Sequence, residues 1–217
     1  MSNTRIRKSA AVLISGSGTN LQSFINKMQS GELDLDIAVV LSNKPNAPGI
    51  ERAKKARIPV ECVEHGDYAN RELFDAALNN TLDRYTPDLV ILAGFMRILT
   101  PVFIEHFEGR VLNIHPSLLP KYPGLDTHRR AIDADDEWAG STVHFATREL
   151  DGGPRIIQGR VRVETDDTPN ILAARVLEVE HQIYPMAAAL YTTGRLKYRG
   201  GAAYLDGNKL KEPIQFS

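Results

Sequence analysis

Short apolar runs recur through the first half of the chain, and the segments between them place their apolar residues three and four apart. "SAAVLIS" (9–15), "LDIAVVLS" (35–42), "PVECVEH" (59–65) and "DLVILAG" (88–94) read as strands. Leu21, Phe24, Ile25 and Met28 fall at i, i+3, i+4 and i+7 on a helix that Gly31 closes. After the turn residues "NKPNAPG" a short helix ends near Ala56, and "RELFDAALNNTLDRY" (71–85) gathers Phe74, Ala77, Leu78 and Leu82 on one helical face. Strands apolar on both faces, alternating with amphipathic helices, predict a parallel sheet covered on both sides.

The pattern changes in the second half. Thr100-Pro101 opens a further helix and "RVLNIHP" gives a fifth strand. Beyond about residue 135, "STVHFATREL" and "PRIIQGRVRV" are strands divided by Asp151-Gly152-Gly153, which predicts a mixed or antiparallel addition. Thr168-Pro169 supplies a cap and an N1 proline for a long helix, which Pro185 interrupts and Gly194 ends. "YLDGNKL" reads as a hairpin on an Asp-Gly turn. The fold class is α/β: a Rossmann-like, mostly parallel sheet with helices on both faces, extended by antiparallel strands in the C-terminal half. Residues 1–217 form one domain with two lobes, about 9–107 and about 108–217.

Charge narrows the function classes. Lys and Arg number 26 against 27 acids, a net charge of −1, which argues against non-specific nucleic-acid binding but leaves small anionic substrates open. Cys62 is the only cysteine, so the chain forms no internal disulfide; a reducing, cytoplasmic setting and a buried, inert thiol are expected. The apolar run Ala10 to Ile14 is too short for a signal peptide or a membrane span.

Two stretches carry candidate chemistry. "ISGSGTNL" (14–21) joins the first strand to the first helix. Gly16 and Gly18 match two glycines of a dinucleotide fingerprint, but Leu21 stands where the third would fall, and no Lys-Ser/Thr pair makes it a Walker loop. What remains is a glycine turn at a helix N-terminus with the short polar Thr19 and Asn20, suited to an anion or simply to capping. The second stretch is "LNIHPSLLPKYPGLDTHRR" (112–130). Two residues apart on a strand, Asn113 and His115 share a face, and three prolines with Gly124 follow. An amide can donate to a developing oxyanion, an imidazole can carry a proton near neutral pH, and a carboxylate such as Asp151 can orient it. His144 lies on the next strand. His115, His144, His128 and Asp151 could instead ligate a metal, but no H-x-H or HExxH spacing supports that. No serine sits in a nucleophile elbow, which favours direct acyl transfer.

Together "LISGSGTNLQ", "SNK", "LAGFMRILT", "LNIHPSLLPKYPGLDTHRRAI", "STVHFATRELDGGPRIIQ" and "RVLEVEHQIYP" resemble the folate-dependent formyltransferases, and within them those that formylate glycinamide ribonucleotide for purine synthesis. The resemblance implies Asn113, His115 and Asp151 as the catalytic trio, and 10-formyltetrahydrofolate as co-substrate with no metal. It implies Gly18, Thr19, Asn20 and Glu180 as the glycinamide ribonucleotide site. Folate would meet Arg71, Met96, Arg97, Ile98, Leu99, Asn113 and the loop Thr147, Arg148, Glu149, Leu150 and Asp151. It further implies small-molecule partners only, a monomer or weak homodimer, and a cis peptide at Leu119-Pro120. The rivals are formyltetrahydrofolate deformylase, which gives the formyl group to water and would carry an N-terminal regulatory domain, and a non-catalytic nucleotide-binding regulator.

Overall fold

The computed structural model describes residues 7–216 in two compact units, one ending at Arg97 and one beginning at Ile98. The first unit holds strands β1 (Ser9–Ile14), β2 (Asp36–Ser42), β3 (Val60–Cys62) and β4 (Leu89–Leu92), and helices α1 (Thr19–Gln29), α2 (Gly49–Lys55) and α3 (Arg71–Asp83). Its strands run in the order β3-β2-β1-β4, every neighbour parallel. The both-face apolar runs are the central strands: Ala11, Val12, Leu13 and Ile14 are completely buried, and Leu21, Phe24, Phe74 and Leu78 on the helices are buried too. Asn70 caps α3 by accepting from the Leu73 N–H at 2.9 Å, an interaction worth about 1 kcal/mol.

Strand β3 is shorter than its apolar signal, ending at Cys62 before a single 3-10 turn, His65–Asp67. It is the sheet edge of this unit, and Cys62 is exposed, against the expectation of a buried thiol. An edge strand has one neighbour only, so its side chains meet solvent more readily. Partial burial, then Glu64 and Asp67, push the Cys62 pKa up, so the group stays a thiol.

The second unit contains α4 (Pro101–His106), β5 (Val111–His115), α5 (Thr127–Asp133), β6 (Trp138–Phe145), β7 (Arg155–Arg162), α6 (Pro169–Thr192) and the short strands β8 (Leu196–Arg199), β9 (Ala202–Leu205), β10 (Asn208–Lys209) and β11 (Ile214–Phe216). β5-β6 and β6-β7 are antiparallel, β11 adds in parallel to β7, and β8-β9-β10 form a separate antiparallel sheet that contains the Asp-Gly hairpin. Pro185 does not interrupt α6, contrary to expectation: the helix runs unbroken from Pro169 to Thr192, with Gly194 at φ 75° just beyond it. A helix-interior proline costs about 3 kcal/mol. Here Ile183, Tyr184, Ala187 and Ala188 are fully buried around it, and the Tyr184 hydroxyl donates to the Leu112 carbonyl at 2.8 Å. Helix α5 carries no clear sequence signal, being seven residues long behind a Pro-Gly turn. Among the described residues no helix is long and apolar enough to cross a membrane.

Candidate active site

In the first unit the glycine loop is braced from beneath. Gly18 sits at φ 68° in the cap position of α1, and no side chain bonds the first-turn N–H groups from there. A β-carbon on Gly18 would lie 2.7 Å from the Gly49 Cα, so glycine is required for both conformation and space. The Gly49 N–H donates to the Gly16 carbonyl at 3.0 Å, and Arg52 Nε donates to the Ser17 carbonyl at 2.8 Å. Thr19 and Asn20 form the first turn of α1, so Gly18, Thr19 and Asn20 stand together at a helix N-terminus. Ser15 ties this loop to its neighbours: its hydroxyl donates to Asn43 Oδ1 at 2.6 Å and accepts the Met96 N–H at 2.8 Å. Arg97 lies over the Phe74 ring at 5.8 Å, one turn along α3 from exposed Arg71.

In the second unit the strand pattern delivers Asn113 and His115 to one face of β5, and β6 brings His144 opposite Asn113 in register. His115 is buried; its Nδ1 lies 3.4 Å from Asp151 Oδ2, and its Nε2–H donates to the Tyr122 carbonyl at 2.8 Å. Asp151 adopts φ 52°, a left-handed conformation uncommon outside glycine, Asn and Asp. Its Oδ2 also accepts the Gly124 N–H at 2.9 Å. Asn113 Nδ2 is 3.1 Å from His144 Nε2, and His144 Nδ1 is 2.9 Å from the Phe145 carbonyl. The three residues singled out from the sequence are thus brought together, with His144 as a fourth that had no assigned role.

The proline segment is held by side chains far away in sequence. Thr142 Oγ1 donates to the Ser117 carbonyl at 2.6 Å and accepts the Leu119 N–H at 3.0 Å. Gln158 Nε2 and Arg155 donate to the Leu119 carbonyl at 2.7 and 2.8 Å. Leu119-Pro120 is cis, as expected. Glu180, buried on α6, reaches β5 through Ser141, whose hydroxyl lies 2.8 Å from the His115 carbonyl and 3.0 Å from Glu180 Oε1. Ser141, Thr142 and the Tyr122 carbonyl escaped sequence reading; their alignment depends on strand pairing, which no local spacing encodes.

The remaining candidates lie at the surface. Ile98 and Leu150 are exposed, Leu99 and Thr147 half-buried, and Arg148 forms an ion pair with Glu105. The exposed Glu149 packs against Gly152, whose added β-carbon would come within 2.4 Å of it. His128 has a buried Nε2 with no hydrogen-bond partner among the described residues. Burial and then His115 push its pKa down, and burial above all lowers that of His144. Among the described residues no group of three or more His, Cys, Asp or Glu is placed to hold a metal ion.

An α/β fold with an amide, an imidazole and a carboxylate clustered beside a strand end has the groups that acyl transfer can use. The formyl transferase family model matches residues 8–188, and the chain belongs to that family. It is 49% identical over 199 residues to the phosphoribosylglycinamide formyltransferase of Escherichia coli strain K12, covering 92% of this chain and 94% of that one. It is 47% identical to the Haemophilus influenzae protein of the same name, covering 94% and 96%. The structure of the Coxiella burnetii phosphoribosylglycinamide formyltransferase superposes with a TM-score of 0.93 at 44% identity, covering 97% of this chain and all of that one. The chain is an enzyme of that kind.

Proposed function

We propose that the enzyme transfers the formyl group of 10-formyltetrahydrofolate to the amine of glycinamide ribonucleotide, with Asn113, His115 and Asp151 carrying the chemistry. The observation that carries this reading is the placement of His115 between two acceptors, Asp151 Oδ2 at 3.4 Å and the Tyr122 carbonyl at 2.8 Å, beside the Asn113 amide. A neutral ring donates through one nitrogen; an imidazolium donates to both, and buried acceptors on either side hold the ring in a single orientation.

The acceptor amine attacks the formyl carbon, a C–N bond forms, and the carbonyl oxygen becomes an oxyanion that the Asn113 N–H stabilises. Collapse breaks the bond to the folate nitrogen, which receives the proton lost by the amine, with His115 relaying it and Asp151 balancing the charge. Gly18, Thr19 and Asn20 take the acceptor's phosphate at a helix N-terminus, where backbone N–H groups favour an anion, and Glu180 is a further acceptor-binding carboxylate. Met96, Arg97, Ile98 and Leu99 line the pterin pocket, the 147–151 loop is the folate loop, and Arg71 lies near the glutamate tail. The lobe of about 9–107 carries the phosphate loop, and that of about 108–217 carries the catalytic residues and the 147–151 folate loop. The setting is the cytoplasm, with small molecules as partners, no metal, and a monomer or weak homodimer as the assembly.

The test follows absorbance of the deformylated folate with and without glycinamide ribonucleotide. Turnover only when the acceptor is present supports the transferase. Equal rates without it would make water the acceptor and the enzyme a deformylase.

A further inference from the structure

We propose that His144 is a positioning residue: as its Nδ1–H tautomer it fixes the Asn113 amide, taking one N–H and leaving the other for the developing oxyanion. This rests on Asn113 being the oxyanion donor.

The argument runs along one hydrogen-bonded chain. The Phe145 carbonyl, 2.9 Å from His144 Nδ1, can only accept, so Nδ1 carries the hydrogen. In the neutral ring the lone pair then sits on Nε2, 3.1 Å from the Asn113 amide. Only the Nδ2 end of that amide fits there; the flipped amide would set oxygen against a nitrogen lone pair. A flipped Asn113 presents an acceptor to a forming negative charge and so loses the stabilisation a donor would give.

The surroundings keep the ring neutral and in place. His144 is buried, and that burial pushes its pKa below the ordinary histidine value; the Phe145 carbonyl and Asp151 oppose the shift, and His115 adds to it. Asp151 Oδ1 stands 3.9 Å from Nε2, outside hydrogen-bonding range, so the amide is the nearer partner. Asn113 and His144 face each other across β5 and β6, and the register with β7 shifts between Val143 and His144. Such an irregularity re-aims a side chain without ending the strand.

Two measurements test the proposal. Long-range proton–nitrogen correlation on the unaltered protein near neutral pH should show His144 protonated at Nδ1 and bare at Nε2. The opposite tautomer, or a doubly protonated ring, overturns the inference while leaving the Asn113 reading intact. Kinetics of Asn113→Ala, His144→Phe and the double variant give the second test. Asn113→Ala should lower kcat by about 10²–10³, and His144→Phe by up to about 100-fold through misplacement, each with little change in either KM. The double variant should be no slower than Asn113→Ala alone, because a residue that acts through Asn113 has nothing left to act on. His144→Gln, which keeps an acceptor at that place, should recover most of the loss. Losses that multiply in the double variant make His144 merely structural and overturn the inference. An unchanged kcat in Asn113→Ala removes the oxyanion assignment, and the inference with it. If His144→Phe does not fold, the tautomer decides.

Discussion

His115 has acceptors at both ring nitrogens, and that arrangement separates its two supports by what each can be replaced with. Asp151→Asn keeps an oxygen for the Gly124 N–H and a residue type that tolerates φ 52°, so it removes charge and little else. Either Asp151→Asn or His115→Ala should lower kcat by roughly 10²–10⁴ while leaving both KM values near their starting points, as steady-state kinetics will show. Comparable losses in binding would make the pair structural. Gly18 responds the other way. Gly18→Val meets a left-handed φ of 68° and a β-carbon 2.7 Å from Gly49, so the loop must move. The KM for the phosphorylated acceptor should rise while that for the folate stays put; an unchanged acceptor KM ends the phosphate-loop assignment.

Among the elements, β6 and the turn after it are where backbone and site are most tightly joined. A β-carbon on Gly153 would come within 1.8 Å of the Phe145 carbonyl, the acceptor of the His144 Nδ1–H. Gly153→Ala should therefore lose about 1–3 kcal/mol in urea unfolding and depress kcat as well, whereas a stability loss with full activity would uncouple the turn from the site. This joint also shows what local sequence can and cannot carry. The apolar runs of β1, β2 and β4 announced a parallel sheet because burial on both faces leaves no polar positions. Asn113 and His115 announced themselves because two-residue spacing fixes a shared face. The short extent and exposed edge of β3, helix α5 and the unbroken course of α6 through Pro185 did not, since edge exposure, a one-to-two-turn helix and tertiary packing leave no periodic trace. His144 was visible as a residue, but its pairing with Asn113 exists only once β5 and β6 are in register.

Across the whole molecule, acid stability follows from two imidazoles that fold in places hostile to charge. His144 and His128 both have pKa values below the ordinary 6.5, each chiefly through burial. The unfolded chain therefore takes up protons first as pH falls, so stability is full above about 6.5 and declines beneath it, down to the folded-state pKa values. Asp88 keeps its contribution through that window. Burial raises its pKa, but bonds from Lys8 and Ser9 outweigh burial and hold it below the usual 3.8, so its contribution persists until far lower pH. Urea midpoints should fall between pH 7.5 and pH 5.5, and more gently in His144→Phe. A flat profile over that range would mean that neither ring is held neutral.

The backbone at Asp151 bears on how such an enzyme can drift. A left-handed φ of 52° admits glycine, asparagine and aspartate with least strain, and the charge beside His115 then selects aspartate from the three. Glutamate, the usual conservative exchange, keeps the charge but loses the backbone preference. Asparagine keeps the backbone but loses the charge, and it is a single-nucleotide step away. Neutral paths away from this position are thus nearly closed, and the nearest open one leads to a folded, substrate-binding protein with little turnover.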